Sequence, residues 1–176
     1  RRRRCGPCPA PTGRQPAATA WSFLRQRRHR EAVDELTSLL ERDPRLAEAH
    51  YQRGNGYDDL GDHQMALDDY ARAADLKPDY LQAFYNRGVV LARLGRHREA
   101  VADFDRVVVL NPGLSNGYLN RGASLDELGQ HLEAVGDYTE ALRCNPDNAD
   151  AHCCGSTWAK CCKWRRTDIF GRLNTV

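Results

Sequence analysis

The sequence predicts an all-α repeat protein, and two observations carry that prediction. Prolines Pro44, Pro78, Pro112 and Pro146 stand 34 residues apart, and several other columns keep the same period. Between the prolines, apolar residues recur at the three- and four-residue spacing of helices, with glycine at the breaks. Each period therefore holds two helices, and a single repeat can bury its apolar face only against a neighbour.

The columns justify the elements in turn. Small residues recur at Ala32, Ala66, Ala100 and Ala134, and bulky ones at Leu36, Tyr70, Phe104 and Tyr138. Smaller apolar residues follow at Leu39, Ala73, Val107 and Ala141. Glycines recur at Gly54, Gly88 and Gly122, and again at Gly61, Gly95 and Gly129. A first helix such as "LQAFYNRGVVLARLG" places Phe84, Val90, Leu91 and Leu94 at helical spacing and closes on Gly95 as a C-terminal cap. A second, "HREAVADFDRVVVLNP", puts Ala100, Val101, Phe104, Val107 and Val108 on one face. It stops at Asn111-Pro112, because the residue before proline is pushed out of the helical region. Gly88 and Ala100 are small where the two helices cross.

The pattern "YNRG…LG…EA…DF…NP" resembles the tetratricopeptide repeat (TPR) family over roughly residues 19–160. The resemblance implies a right-handed α-solenoid with complete repeats at 47–80, 81–114 and 115–148. A degenerate repeat at 19–46 keeps Ala20, Phe23, Ala32, Leu36 and Pro44 but lacks the glycines. A partial repeat or capping helix is expected at 149–163, a disordered Arg/Pro-rich tail at 1–18 and a second tail at 164–176.

Charge is strongly segregated behind a net value of +2. Residues 1–30 carry nine arginines and no acid, residues 31–159 carry twelve basic against twenty-three acidic side chains, and residues 160–176 carry five against one. Basic tails of this kind suit nucleic acid or an anionic surface, or are simply solvated extensions. No run of eighteen apolar residues is present to span a membrane. The chain opens on Arg rather than Met, as expected of a fragment or a processed product. None of the seven cysteines falls between residues 9 and 143, which excludes a disulfide scaffold for the central region and favours a reducing, cytoplasmic setting.

Two polar columns run through the repeats. Arg53, Arg87 and Arg121 are followed sixteen residues later by Asp69, Asp103 and Asp137, an offset that joins the two helices of a hairpin through an internal ion pair. The degenerate repeat has Thr19 and Glu35 there and lacks the pair. His29, His63, His97 and His131 also keep the period. Stacked hairpins hold equivalent residues about 8–10 Å apart, too far for metal ligation at about 2.1 Å, so these histidines are expected to pack at the interhelix turn.

No nucleophile elbow, phosphate-cradling loop or zinc-protease motif is present, and no enzyme, cofactor or metal is expected. Cys5-Gly6-Pro7-Cys8 matches the thioredoxin dithiol, but arginines precede it and a proline-rich stretch follows, so the strand and helix that would activate it are missing. Cys153, Cys154, Cys161 and Cys162 could approach a zinc ion only if the helix broke near Lys160. Cys144 shares the column of Leu76 and Leu110 and reads as a core residue.

The TPR resemblance further implies a concave groove lined by the first helices. By that carry-over the groove holds Glu48, Tyr51, Asn55, Asp58 and Asp59, then Gln82, Tyr85, Asn86, Val89 and Arg93, then Asn116, Leu119, Asn120, Asp126 and Glu127, with Asp150 extending the line. TPR chaperone adaptors clamp a C-terminal carboxylate with cations and asparagines. Asn55 and Asn86 match the asparagines, while Tyr51, Asn116 and Asn120 replace the cations. The expected ligand is a partner's peptide segment carrying Lys or Arg, steered by the acids and anchored on tyrosines. The alternatives are an adaptor whose basic tails make the contact, and the interaction region of a larger, catalytic protein.

Overall fold

The structure, a computed structural model, describes residues 28–146. Among these, seven α-helices and no strand are found: α1 His29–Arg42, α2 Ala47–Leu60, α3 His63–Leu76, α4 Leu81–Arg93, α5 His97–Leu110, α6 Ser115–Glu127 and α7 His131–Cys144. The expected tails, the Cys5–Cys8 dithiol, the first helix of the degenerate repeat, the partial repeat and the four C-terminal cysteines all lie outside the described residues. The described residues have the all-α architecture of paired helices that the 34-residue period predicts.

The helices form where the sequence places them because their ends are chemically marked. α1, α5 and α7 stop on Asp43, Asn111 and Asn145, each extended with ψ of 92°, 91° and 96°, and each directly before a proline. The turns between α2 and α3, α4 and α5, and α6 and α7 each pass through a glycine of positive φ. At Gly95 the value is +74°, a conformation a side chain would strain, and the following Arg96 amide donates back to the Leu91 carbonyl.

The chain divides into two compact units that part between Leu76 and Lys77. In the first, α2 packs against both α1 and α3. Its core joins Leu36, Leu40 and Ala49, while Tyr70 of α3 is 1% exposed. In the second, α4 packs on α5, α5 on α6, and α6 on α7. Phe104 is fully buried there, and Leu125, Ala134 and Tyr138 form a cluster flanked by Val101 and Leu119.

Close helix approach explains the glycines inside the first helices. A methyl group on Gly88 would come within 2.9 Å of the Phe104 ring, and the equivalent positions Gly54 and Gly122 face Tyr70 and Tyr138 in the same way. Small residue and large ring are thus two halves of one contact. Two expected core positions differ. Leu94 is 43% exposed, because it is the C-cap residue where the chain turns into Gly95. Cys144 is half-buried like Leu76 and Leu110 of its column, with its Sγ 3.5 Å from the Pro112 carbonyl oxygen.

Candidate functional site: the exposed faces of the first helices

What the first helices present outward depends on what the hairpins keep inside. The sixteen-residue offset produces three internal ion pairs. Arg53 Nε and a terminal nitrogen donate to the Asp69 carboxylate at 2.7 and 2.8 Å. Arg87 meets Asp103 at 2.7 and 2.5 Å, and Arg121 meets Asp137 at 2.7 and 2.6 Å. The three aspartates are buried, so each carboxylate needs its two-pronged partner. The bond to aspartate raises the pKa of Arg53 and of Arg121 above the ordinary arginine value, against the opposing effect of burial. Both guanidiniums therefore stay charged at any pH at which the protein is handled.

The surroundings of the pairs differ. Asp69 is also met by His50, whose Nδ1 lies 3.0 Å from its Oδ1 and whose Nε2 lies 3.2 Å from the Pro44 carbonyl oxygen. Arg53 reaches on to the Thr37 hydroxyl at 3.2 Å, and Arg121 reaches Asp105 of α5 at 2.7 Å. His50 has no periodic counterpart, since Phe84 and Tyr118 occupy its column, and the repeat pattern gave no sign of it.

In the first unit, Glu48, Tyr51, Asn55, Asp58 and Asp59 all stand on α2 with some exposure. Tyr51 packs against Tyr70 with ring centroids 6.0 Å apart, and the Tyr70 hydroxyl donates to Asn55 Oδ1 at 2.8 Å. Gln52 donates to Glu48 at 2.8 Å. Asp58 is drawn to the helix end, 3.0 Å from His63 Nδ1, and Asp59 lies 3.1 Å from His29 Nδ1. The only arginine of α2 is Arg53, and it is turned into the hairpin.

In the second unit, Gln82, Tyr85, Asn86, Val89 and Arg93 stand on α4, and Asn116, Leu119, Asn120, Asp126 and Glu127 on α6. Tyr85 meets Phe104 edge-on at 6.1 Å and accepts a hydrogen bond from Asn120 Nδ2 at 3.0 Å, which ties α4 to α6. Leu119 leans on the Leu125 cluster as well as facing outward. Asp126, like Asp58, is caught at the turn, 2.5 Å from His131 Nδ1. Asp150 lies outside the described residues.

Four of these second-unit residues, Val89, Arg93, Asn120 and Glu127, line one cavity of about 240 Å³. Ala92, His97, Phe104, Ala123 and Ser124 complete its wall. None of those five was singled out from the sequence as a groove residue. The four histidines each begin a helix, α1, α3, α5 and α7, and the last three follow an interhelix turn, yet their surroundings differ. Nδ1 of His29 and Nδ1 of His97 are both buried without a hydrogen-bond partner, whereas those of His63 and His131 meet aspartates. Among the described residues no group of three or more His, Cys, Asp or Glu is arranged to hold a metal ion, and no helix is long and apolar enough to cross a membrane.

Hairpins locked by buried Arg–Asp pairs, with half-buried aromatic and amide side chains left on one face of each first helix, define an α-helical repeat protein. The chain belongs to the tetratricopeptide repeat family, whose model matches residues 18–79 and 51–115. Comparison with curated protein sequences gives no significant match. Among solved structures, the chain is similar to MamA, at 25% identity and a TM-score of 0.73 over 76% of this chain and 78% of that one. A MamA fragment (41-end) from Desulfovibrio magneticus RS-1 shares the fold, with 22% identity, a TM-score of 0.76 and 82% of each chain covered. The first TPR of Spaghetti (RPAP3), solved bound to the HSP90 peptide SRMEEVD, is 28% identical with a TM-score of 0.63, over 65% of this chain and 91% of that one. Modules of this family are in general protein–protein interaction scaffolds rather than enzymes.

Proposed function

We propose that this protein is a non-enzymatic scaffold whose first-helix faces bind peptide segments of a partner, and that α2 selects a basic segment. The observation that carries the charge preference is the fate of Arg53. α2 bears Glu48, Asp58 and Asp59 toward its exposed side, while its one arginine is held inside on Asp69. The field beyond this face is therefore negative, and it favours approach of Lys or Arg side chains. Tyr51, half-buried and braced against Tyr70, supplies a flat apolar platform at low entropic cost. A related repeat solved with a bound peptide supports a peptide as the class of ligand. No cofactor enters this reading, and the cysteine usage favours a cytoplasmic setting.

The test is fluorescence polarisation of labelled peptides against the full chain, with basic segments and acidic C-terminal tails compared at low and high salt. Basic peptides are expected to bind more tightly, and to weaken as salt rises, since the Debye length shrinks from about 10 Å at 0.1 M to about 3 Å at 1 M. Glu48→Lys is expected to reduce that binding. Preference for acidic tails, or no binding by any peptide, would overturn the reading.

A further inference from the structure

The first helices change chemistry from one repeat to the next, and one cavity marks the change. On α2, Asn55 accepts from the Tyr70 hydroxyl at 2.8 Å, and Asp58 Oδ1 lies 3.0 Å from His63 Nδ1. In the following repeat Val89, Phe104 and Ala92 replace Asn55, Tyr70 and Asp58, so the amide, the phenol oxygen and the carboxylate are all gone. A cavity of about 240 Å³ opens beside these three residues, and Ala123 of α6 adds a further methyl group to its wall. Val89 and Ala92 are half-buried and Ala123 is exposed, so a bound group can touch all three. Phe104 and Ser124 are buried and only back the wall.

The polar groups of the wall are engaged elsewhere. The Ser124 hydroxyl donates to the Asn120 carbonyl at 3.0 Å, and Asn120 Nδ2 donates to the Tyr85 hydroxyl at 3.0 Å. His97 Nδ1 is sealed beneath the surface. Arg93 and Glu127 are exposed and of opposite sign, so their charges offset, in contrast to the acidic face of α2.

We propose that this cavity seats one aliphatic side chain, a leucine, isoleucine or methionine, of a bound peptide. The size fits a single side chain, being below the roughly 300 Å³ at which small-molecule pockets begin. A charged or amide side chain would leave water for a wall of methyl groups, at a cost, whereas an aliphatic one gains by the same burial. With its rim charges balanced, the cavity exerts no net pull on a lysine or a glutamate, and apolar contact decides what enters. The peptide rests on the function proposed above; the preference of the cavity for an aliphatic group does not.

Two measurements on the full chain separate these layers. The first follows the Val89 and Ala123 methyl resonances by NMR while N-acetyl-leucinamide is titrated, with N-acetyl-asparaginamide as the polar control of similar shape. The proposal requires a saturable shift with the leucine compound, none with the asparagine compound, and at least fivefold weaker binding in Ala92→Asp. That variant installs the carboxylate that Asp58 and Asp126 supply at the same position, so it is expected to fold. Val89→Asn, which copies Asn55, is a second variant with the same expected loss, read at the Ala123 methyl. Methyl resonances that neither compound moves, that both move alike, or that respond equally in the two variants overturn the proposal. The second measurement compares a lysine-rich peptide bearing one central leucine with its asparagine counterpart. Burial of the leucine predicts roughly tenfold tighter binding of that form, a difference lost in Ala92→Asp. Equal binding of both peptides sinks the inference and leaves the scaffold reading standing. A saturable response to N-acetyl-leucinamide without binding of either peptide does the reverse.

Discussion

The interior of the hairpins and the outward face of the first helices obey opposite rules. Inside, the same contacts recur in all three complete hairpins: a glycine under a ring, and an arginine clasping a buried aspartate. Outside, the columns change at each turn of the repeat. Tyr51 and Tyr85 give way to Leu119, Asn55 becomes Val89 and then Ala123, and Asp58 and Asp126 flank an Ala92. The constant columns hold the fold, and the varying ones distinguish what each repeat can bind.

Substitutions can break this contrast, and the largest effect is expected inside. Arg87→Ala strips Asp103, which is 4% exposed, of its partner and should cost about 3–5 kcal/mol in urea-induced unfolding. Arg53→Ala should cost visibly less, because His50 remains 3.0 Å from Asp69. Equal losses, or the reverse order, would mean that the interior pairs are not the locks described here.

Next in size is the ring contact. Gly88→Ala pushes a methyl group against Phe104 at 2.9 Å, an overpacking of about 1–3 kcal/mol that the better helix propensity of alanine offsets by about 1 kcal/mol. A second change, Phe104→Leu, should recover part of the loss in a double-mutant cycle, and strictly additive effects would show that the two positions do not share a contact.

On the outward face the stability effects should nearly vanish while binding changes. Glu48 is exposed, so Glu48→Lys should alter unfolding by less than about 0.5 kcal/mol. Its effect on a basic peptide should be roughly threefold weaker binding at low salt, shrinking as salt rises. A large loss of stability here would blur the division between the two regions.

Much of the interior was legible in the sequence because periodicity multiplies each weak signal by the number of repeats. The sixteen-residue offset of arginine and aspartate, the glycine caps and the proline stops all appeared three or more times. Leu94 was misplaced because helical spacing alone does not say where the last turn unwinds into Gly95. The face was less legible for the opposite reason. His50 occurs once, so no column announced its contact with Asp69. The five-residue offset of Asp58 from His63 and of Asp126 from His131 stood in the sequence, but Ala92 interrupts it, so it did not read as a column. Acids that read as groove charges, Asp58 and Asp126, turned out to be anchored at the turns by histidine as well.

The central claim is that peptides are bound by the outward faces of the first helices. The most direct test is amide chemical-shift mapping of the isotopically labelled full chain, titrated with the tightest peptide of the panel. The account predicts shifts around Tyr51 and Asn55, or around Tyr85, Asn86 and Asn120, with the exposed residues of α3, α5 and α7 silent. Shifts confined to exposed second-helix positions such as Met65, Val109 or Leu132, with the first helices unmoved, would contradict it.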